Sequence, residues 1–571
     1  MLLLILAGLA LGYFVWSLVA LELNYRRAAA IGITRVRLPI DSYNVIWVVM
    51  GPYLWQILDR LPINLGNLER FGRRGWQFWD KADAHLEYGN TWALVTPVNI
   101  YVQCADSHAV HDIFNRRMDF IRPSQLYDLL AVYGPCISSV GLRDWPRHRK
   151  VLAAHFNENI MNQVWDESVS QSTQMLEAWT NPTLQNIPSI AKDTRTVSLN
   201  VLAATGFSRP HKFVGSHESK PDLDEEGSYQ EALQIVLDNC ILLMLIPPNY
   251  LTLPFLPKSL RLIGKAAVNF RTHIAEMLTE EMAALNDGKP GSRGLMTLFV
   301  RAIDTKQKED AKYTTGSSVP KGLSVEEVFG NTFVVNFAGH DTTANTLGFV
   351  VYLLTAYPEV QNWVREELQQ VIPASGKWNY NDLFPMLKRC RALLLETLRL
   401  FPPVIAVQKF TNDHPQTLNI EGKTIVLPPN IGIYPRITAI QSHPKYWRDP
   451  LVWKPSRWIV KPSNESHDIA TRLKEETILI PAKGTFVAWS DGPQNCLGAK
   501  FSQVEFVAII ARLLWEHHFH AIPNGGETPE DTQKRILAAT NDIDLKLLVR
   551  MKNCDVKVLG NSESSRKKSG A

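Results

Sequence analysis

The stretch from Ser324 to about Tyr352 restricts the fold of this chain more than any other. Ser324 followed three residues later by Glu327 is the signature of a reciprocally capped helix start. The residues after it are mostly apolar: Phe333, Val334, Val335 and Phe337, then Leu347, Phe349, Val350 and Val351. As one helix the segment is roughly 40–45 Å long, enough to cross a domain. Its middle nevertheless reads Ala338-Gly-His-Asp-Thr-Thr-Ala344. Gly339 weakens a helix by about 1 kcal/mol and admits close approach to the backbone. Thr342 can divert a carbonyl from the helical ladder and open a kink, and Asp341 is a titratable proton carrier in a half-dry place. Alone, the pattern reads first as a packing glycine and two threonines bonded back to their own helix.

A second constraint is the run Trp489-Ser-Asp-Gly-Pro-Gln-Asn-Cys-Leu-Gly-Ala499. Between Gly492 and Gly498, Cys496 has backbone amides free to turn towards its sulfur. Amide donors and a nearby metal both favour thiolate over thiol. The segment Ala499–Trp515 follows with Phe501, Val504, Val507, Ala508 and Leu513 at helical spacing, and a helix N-terminus adds its positive end to the same task. A buried structural cysteine is the plain alternative.

Two more groupings carry chemistry. Glu396 and Arg399 share a helix face at i, i+3, and Leu393, Leu394, Leu395, Leu398 and Leu400 around them indicate burial. A buried pair needs a third group to satisfy its remaining donors and acceptors; Arg457 in Pro455-Ser-Arg-Trp458 is the candidate. Trp145 and Arg149, four apart in an amphipathic helix running to Phe156, aim an indole N–H and a guanidinium together, which suits an anionic group. An ordinary basic helix start remains open.

Lys plus Arg is 60 against 56 Asp plus Glu, a net charge of +4, which gives no support for nucleic-acid binding. Six cysteines without CxxC spacing argue against a disulfide framework or zinc module and for a reducing compartment. In His517-His518-Phe519-His520 a strand would put His518 and His520 on one face, but a polar surface strand is favoured over a metal site. No charged side chain precedes Glu22, and Arg26 and Arg27 follow at once. Residues 1–21 are therefore expected to form a transmembrane anchor with the body on the cytoplasmic side. A cleaved secretory signal would want a charged start and a shorter apolar core. The sequon-like Asn464-Glu-Ser466 then never meets the glycosylation machinery. Residues 22–60 form a basic and interfacial linker, with Val45–Leu58, interrupted by Gly51 and Pro52, lying along the bilayer. Residues 461–480 are expected as an exposed insertion and 552–571 as a disordered tail.

In order along the chain stand Trp-x-x-x-Arg, the Ala-Gly-x-Asp-Thr-Thr helix, Glu-x-x-Arg, Pro-x-Arg-aromatic and the cysteine loop. This order resembles the cytochrome P-450 superfamily of haem-thiolate monooxygenases, microsomal and fungal in type, over about residues 60 to 550. The resemblance implies a mainly α fold with minor β after one N-terminal transmembrane helix, with residues 61–551 as the monooxygenase domain. It implies haem b between the long helix and the cysteine loop, with Cys496 as axial ligand to iron. Asp341 and Thr342 correspond to the acid–alcohol pair that delivers protons through water. Glu396, Arg399 and Arg457 correspond to a structural triad, and Trp145 and Arg149 to propionate contacts; Gly339, Gly492 and Gly498 lie at close approaches to the cofactor.

Two positions depart from the pattern: Gln494 stands where the family usually has Arg or His, and Lys409 where it usually has a propionate-binding Arg. With fewer guanidiniums the iron's reduction potential falls, so Gln494→Arg is expected to raise it. The implied reaction inserts one oxygen atom into a lipophilic small molecule, a specialised metabolite such as a terpenoid, polyketide or alkaloid. Apolar segments from Ile121 to Val140, Val335 to Ala338 and Val404 to Val407 are the expected pocket walls. Electrons come from an NADPH-cytochrome reductase, a flavoprotein, at the endoplasmic reticulum membrane. Rival readings are an oxygen-independent haem-thiolate isomerase or dehydratase, against which Asp341-Thr342 argues, and a membrane-tethered binding protein without haem. A cysteine hydrolase lacks a clear histidine partner.

Overall fold

The computed structural model describes residues 1–571 apart from 43, 124–126, 182–186, 217–228, 290, 292–293, 313–320, 374–375, 462–467, 546–547, 552–557 and 563–571. Within helices and strands the side chains of 2–4, 6–7, 10, 45–46, 48–49, 230, 309–312 and 558–562 are also outside the described set. The chain packs as two compact units woven from separate segments. Residues 1–123, 398–453 and 480–496 form the first, and 124–397, 454–479 and 497–571 the second. One crossing falls inside the Lys388–Leu400 helix, so no linker marks it in the sequence.

The first unit is built on a six-stranded sheet. Its members are β1 (Thr34–Arg37), β2 (Thr91–Val95), β3 (Ile100–Cys104), β4 (Phe120–Ile121), β5 (Lys409–Thr411) and, after the hairpin β6 (Gln416–Ile420) and β7 (Lys423–Leu427), β8 (Gly432–Pro435), in spatial order β1-β2-β3-β8-β5-β4. Along Trp92–Val95 the side chains alternate between two apolar clusters, as in a sheet covered on both faces. Trp92 and Leu94 join one apolar cluster with Phe71, Trp76 and Tyr434; Ala93 and Val95 join another with Ile113, Phe114 and Ile433. Asp106 caps the Ser107–Asn115 helix by accepting from Ala109 N.

The first helix, Leu2–Ala28, docks by its end: Leu21 and Ala28 are buried, and Asn24 Nδ2 donates to the carbonyls of Thr96 and Pro97 at 3.0 and 3.1 Å. Earlier in the helix Leu9, Leu11, Phe14, Val15 and Trp16 are exposed. Among the described residues no helix is long and apolar enough to cross a membrane. Val45–Leu58 forms one helix, with Gly51 and Pro52 inside it.

In the second unit the expected long helix runs Val325–Ala356, with both halves of the Ser324–Glu327 capping box formed. Tyr357 ends it, and Pro358 opens the next helix, Pro358–Val371. The long helix packs against the Ile190–Phe207 and Ala499–Trp515 helices, and the latter also against Glu158–Trp179.

Two surface expectations are corrected. The segment 461–480 is not simply an exposed insertion: it contains the Ile469–Glu475 helix with Leu473 buried, and Glu476, at its end, is buried against Arg389. Through both carboxylate oxygens Glu476 is tied to Arg389 Nε and a terminal nitrogen at 3.0 and 2.7 Å. The tail from Lys552 lies partly outside the described residues, as does Asn464, but Val558–Ser562 pairs antiparallel with His517–Ala521.

Candidate active site

In the first unit, the cysteine loop is fastened to the Ser107–Asn115 helix. Asp491 accepts from Gly492 N at 2.7 Å through one oxygen and meets His111 Nδ1 at 2.6 Å through the other. Gly492 has φ +64°, and a Cβ there would lie 2.5 Å from the carbonyl oxygen of Phe114. Both facts restrict the position to glycine. Cys496 N donates to Trp489 O at 2.9 Å, which closes the loop. The described cysteines 104, 136, 240 and 390 are buried, whereas Cys496 is exposed. For a residue type that is usually interior, this is the informative exception. Gly498 then caps the Ala499–Trp515 helix.

Lys409 Nζ donates to Gln494 Oε1 at 2.6 Å. The two departures from the family pattern are thus one buried pair, Lys409 being 1% and Gln494 8% exposed. Burial, and secondarily the charge of Arg122, pushes the Lys409 ammonium down to about 7. The sequence showed both residues but not that they touch.

In the second unit, the polar middle of the long helix is occupied as follows. Thr342 Oγ1 donates to Ala338 O at 2.9 Å and Thr346 to Thr342 O at 2.8 Å, with the helix unbroken. Thr342 is half-buried, beside exposed Ala338. Asp341 Oδ1 lies 3.0 Å from Arg195 Nε. No sequence spacing pointed to Arg195, which comes from the Ile190–Phe207 helix. Fully buried His340 places Nδ1 2.8 Å from Asn336 O and Nε2 3.4 Å from Asp341. What approaches Gly339 closely is Leu202, whose Cδ2 would lie 3.0 Å from an added Cβ.

Glu396 Oε1 accepts from Arg457 Nε at 2.9 Å and Lys454 N at 2.8 Å, and Oε2 from Trp458 Nε1 at 2.9 Å. The expected third group is present, and the indole is an addition. In the first unit, Arg399 donates to the carbonyls of Gln441, Pro450 and Val452 at 2.7, 2.6 and 3.2 Å. Arg149 lies 5.8 Å from the Trp145 ring centroid, as one helix face requires; that helix, Trp145–Ala153, stops short of Phe156. Its start is held by Arg147, which pairs through both terminal nitrogens with Glu327. Burial pushes the Glu327 carboxyl up, but hydrogen bonds from Arg147 and the Ser324 amide, with His148 Nε2 3.4 Å away, outweigh it and hold the group well down. In the strand His517–Ala521 the rings of His518 and His520 are 5.9 Å apart, and among the described residues no metal-holding cluster of three or more such side chains occurs.

A family model described as cytochrome P-450 matches residues 59–547, so the chain belongs to the cytochrome P-450 family. It is a monooxygenase of that family, and the family implies a haem-thiolate cofactor, a redox partner as electron source and a lipophilic substrate. The chain is 26% identical to a cytochrome P-450 monooxygenase of Arthrobotrys oligospora, covering 93% of this chain and 94% of that one. It is 25% identical to the phomenoic acid biosynthesis cluster cytochrome P-450 monooxygenase of Leptosphaeria maculans, covering 90% and 92%. A crystal structure of a cytochrome P-450 superposes with TM-score 0.62 at 16% identity, over 85% of this chain and 98% of that one, which establishes the fold.

Proposed function

We propose that the chain is a haem b monooxygenase that oxygenates a lipophilic specialised metabolite, a terpenoid, polyketide or alkaloid, with electrons from a flavoprotein NADPH reductase. The observation that carries the reading is Cys496, exposed in a glycine-shaped loop of a chain whose other described cysteines are buried. A sulfur donor held on a fixed loop fits a haem iron, and the bound haem supplies the activation of dioxygen. Cys496 holds the iron. Trp145, Arg149 and the Lys409–Gln494 pair offer donors for carboxylates. Thr342 and Asp341 hold and pass protons, with Arg195 fixing the carboxylate. Glu396 and Arg457 lock the segment that carries them.

The Leptosphaeria maculans relative, named for a biosynthetic cluster, supports the choice of metabolite class. The uncharged start of the first helix and its exposed Leu9, Leu11, Phe14, Val15 and Trp16 support anchoring of this helix in the endoplasmic reticulum membrane, with the body in the cytoplasm. The deciding experiment is absorption of the reduced, haem-loaded protein under carbon monoxide. A red-displaced Soret band typical of sulfur ligation is expected, and Cys496→Ser should lose it. A folded, haem-supplied parent without that band refutes the reading.

A further inference from the structure

Nine residues beyond Cys496, the Ala499–Trp515 helix carries a carboxyl group that the proposed chemistry does not use. Glu505 is fully buried, as are its neighbours along the helix Val504, Phe506, Ala508 and Ile509. Two hydroxyls lean on it: Ser198 of the Ile190–Phe207 helix and Thr343 of the long helix, both buried. Neither carboxyl oxygen, nor Ser198 Oγ, nor Thr343 Oγ1 closes an aligned hydrogen bond to any described protein atom. Four buried oxygens from three helices thus face one another with their bonding capacity unspent. Native interiors rarely leave such groups so unless they bond through a small adjustment or a shared water.

We propose that Glu505 is a positioning residue for the turn of the long helix that carries Asp341 and Thr342, acting by hydrogen bonds, direct or through one water, to Thr343 and Ser198. Thr343 directly follows Thr342, so fixing its hydroxyl fixes the rotation of that turn about the helix axis. Burial pushes the Glu505 carboxyl up to about 8, and only the two hydroxyls oppose it. Near neutral pH the group is therefore an uncharged acid, with one donor as well as acceptors to offer. The inference rests on the proposed role of Asp341 and Thr342.

The test uses the intact haem-loaded enzyme and two infrared readouts that need no substrate. The first is the C–O stretch of the reduced, carbon-monoxide-bound form, which responds to polar groups on the oxygen-binding side; Thr342→Ala sets the scale. Glu505→Gln, neutral and of the same shape, should keep the parent band. Glu505→Leu and Thr343→Val should shift or split it to an extent comparable with Thr342→Ala. The second is the carbonyl stretch of a protonated carboxylic acid, present in the parent near neutral pH and lost in Glu505→Gln.

A parent-like band in either Glu505→Leu or Thr343→Val overturns the proposal. So does a Gln variant displaced as far as the Leu variant, or a parent without the carboxylic acid band. If Glu505→Leu does not fold, Thr343→Val and the carboxyl band decide. Failure of the underlying reading looks different: the parent then lacks the sulfur-ligated Soret band, or Thr342→Ala leaves the C–O stretch unmoved.

Discussion

Lys409 and Gln494 meet at 2.6 Å inside the first unit, and this contact changes what a substitution there does. Read from sequence, Gln494→Arg only adds a guanidinium near the iron and raises its potential. In the folded protein the new guanidinium takes the place of the amide oxygen that receives the Lys409 ammonium. The Lys409 ammonium, already pushed down to about 7, then loses its acceptor to a buried guanidinium and must repel it or give up its proton, so Gln494→Arg is expected to destabilise by roughly 1–3 kcal/mol. Adding Lys409→Met should recover part of that loss, as measured by urea unfolding of the two single variants and the double. Strict additivity of the two changes would show that the residues do not interact. Both residues were legible as departures from a family pattern. Their contact was not, because they lie 85 positions apart in the chain.

Among elements, the Lys388–Leu400 helix shows how a helix start is satisfied from outside its own sequence. Glu367, on the Pro358–Val371 helix, accepts from the backbone amides of Arg389 and Cys390 at 2.7 and 3.2 Å. No capping serine or aspartate directly precedes this helix, since the cap is supplied by another helix. Burial pushes the Glu367 carboxyl up to about 7 from 4.5. Between those values the folded chain keeps a proton that the unfolded chain releases, so this contribution to stability is complete below pH 4.5 and lost as pH rises through 7. Glu367→Gln removes the titration. The stability of the parent relative to this variant should therefore fall from pH 5 to pH 8, by up to ~3 kcal/mol. Urea unfolding at the two pH values checks it, and a constant difference would mean that Glu367 is ionised throughout. By contrast, the Ser324–Glu327 box was fully legible, because both of its partners lie within one turn.

For the whole molecule, the proposed anchoring gives the first helix two jobs along its length. Leu9, Leu11, Phe14, Val15 and Trp16 show exposed apolar side chains, while Leu21, Asn24 and Ala28 are part of the first unit's core and its hydrogen bonding. Deleting residues 1–20 should therefore release the protein from membranes into the soluble fraction while leaving its thermal unfolding nearly unchanged. Deleting residues 1–28 should lower the unfolding temperature by several degrees, because it also uncovers the sheet, at roughly 0.8 kcal/mol per CH₂ lost from the core. Sedimentation with vesicles and thermal unfolding separate the two effects. A 1–20 deletion that still sediments with vesicles would refute the anchor.

Taken alone, the sequence determined the family, the long capped helix, the cysteine loop and the identity of each candidate side chain. These rest on spacing within a turn or a short loop, where the covalent chain itself fixes who can meet whom. Tertiary structure alone decided that Arg195 holds Asp341, that Trp458 joins Arg457 on Glu396, that Glu476 is buried on Arg389 and that Glu505 faces Thr343. Each of those contacts joins residues distant in the chain. Their pairing follows from how separate helices pack and which charges burial forces together, and no local pattern encodes that.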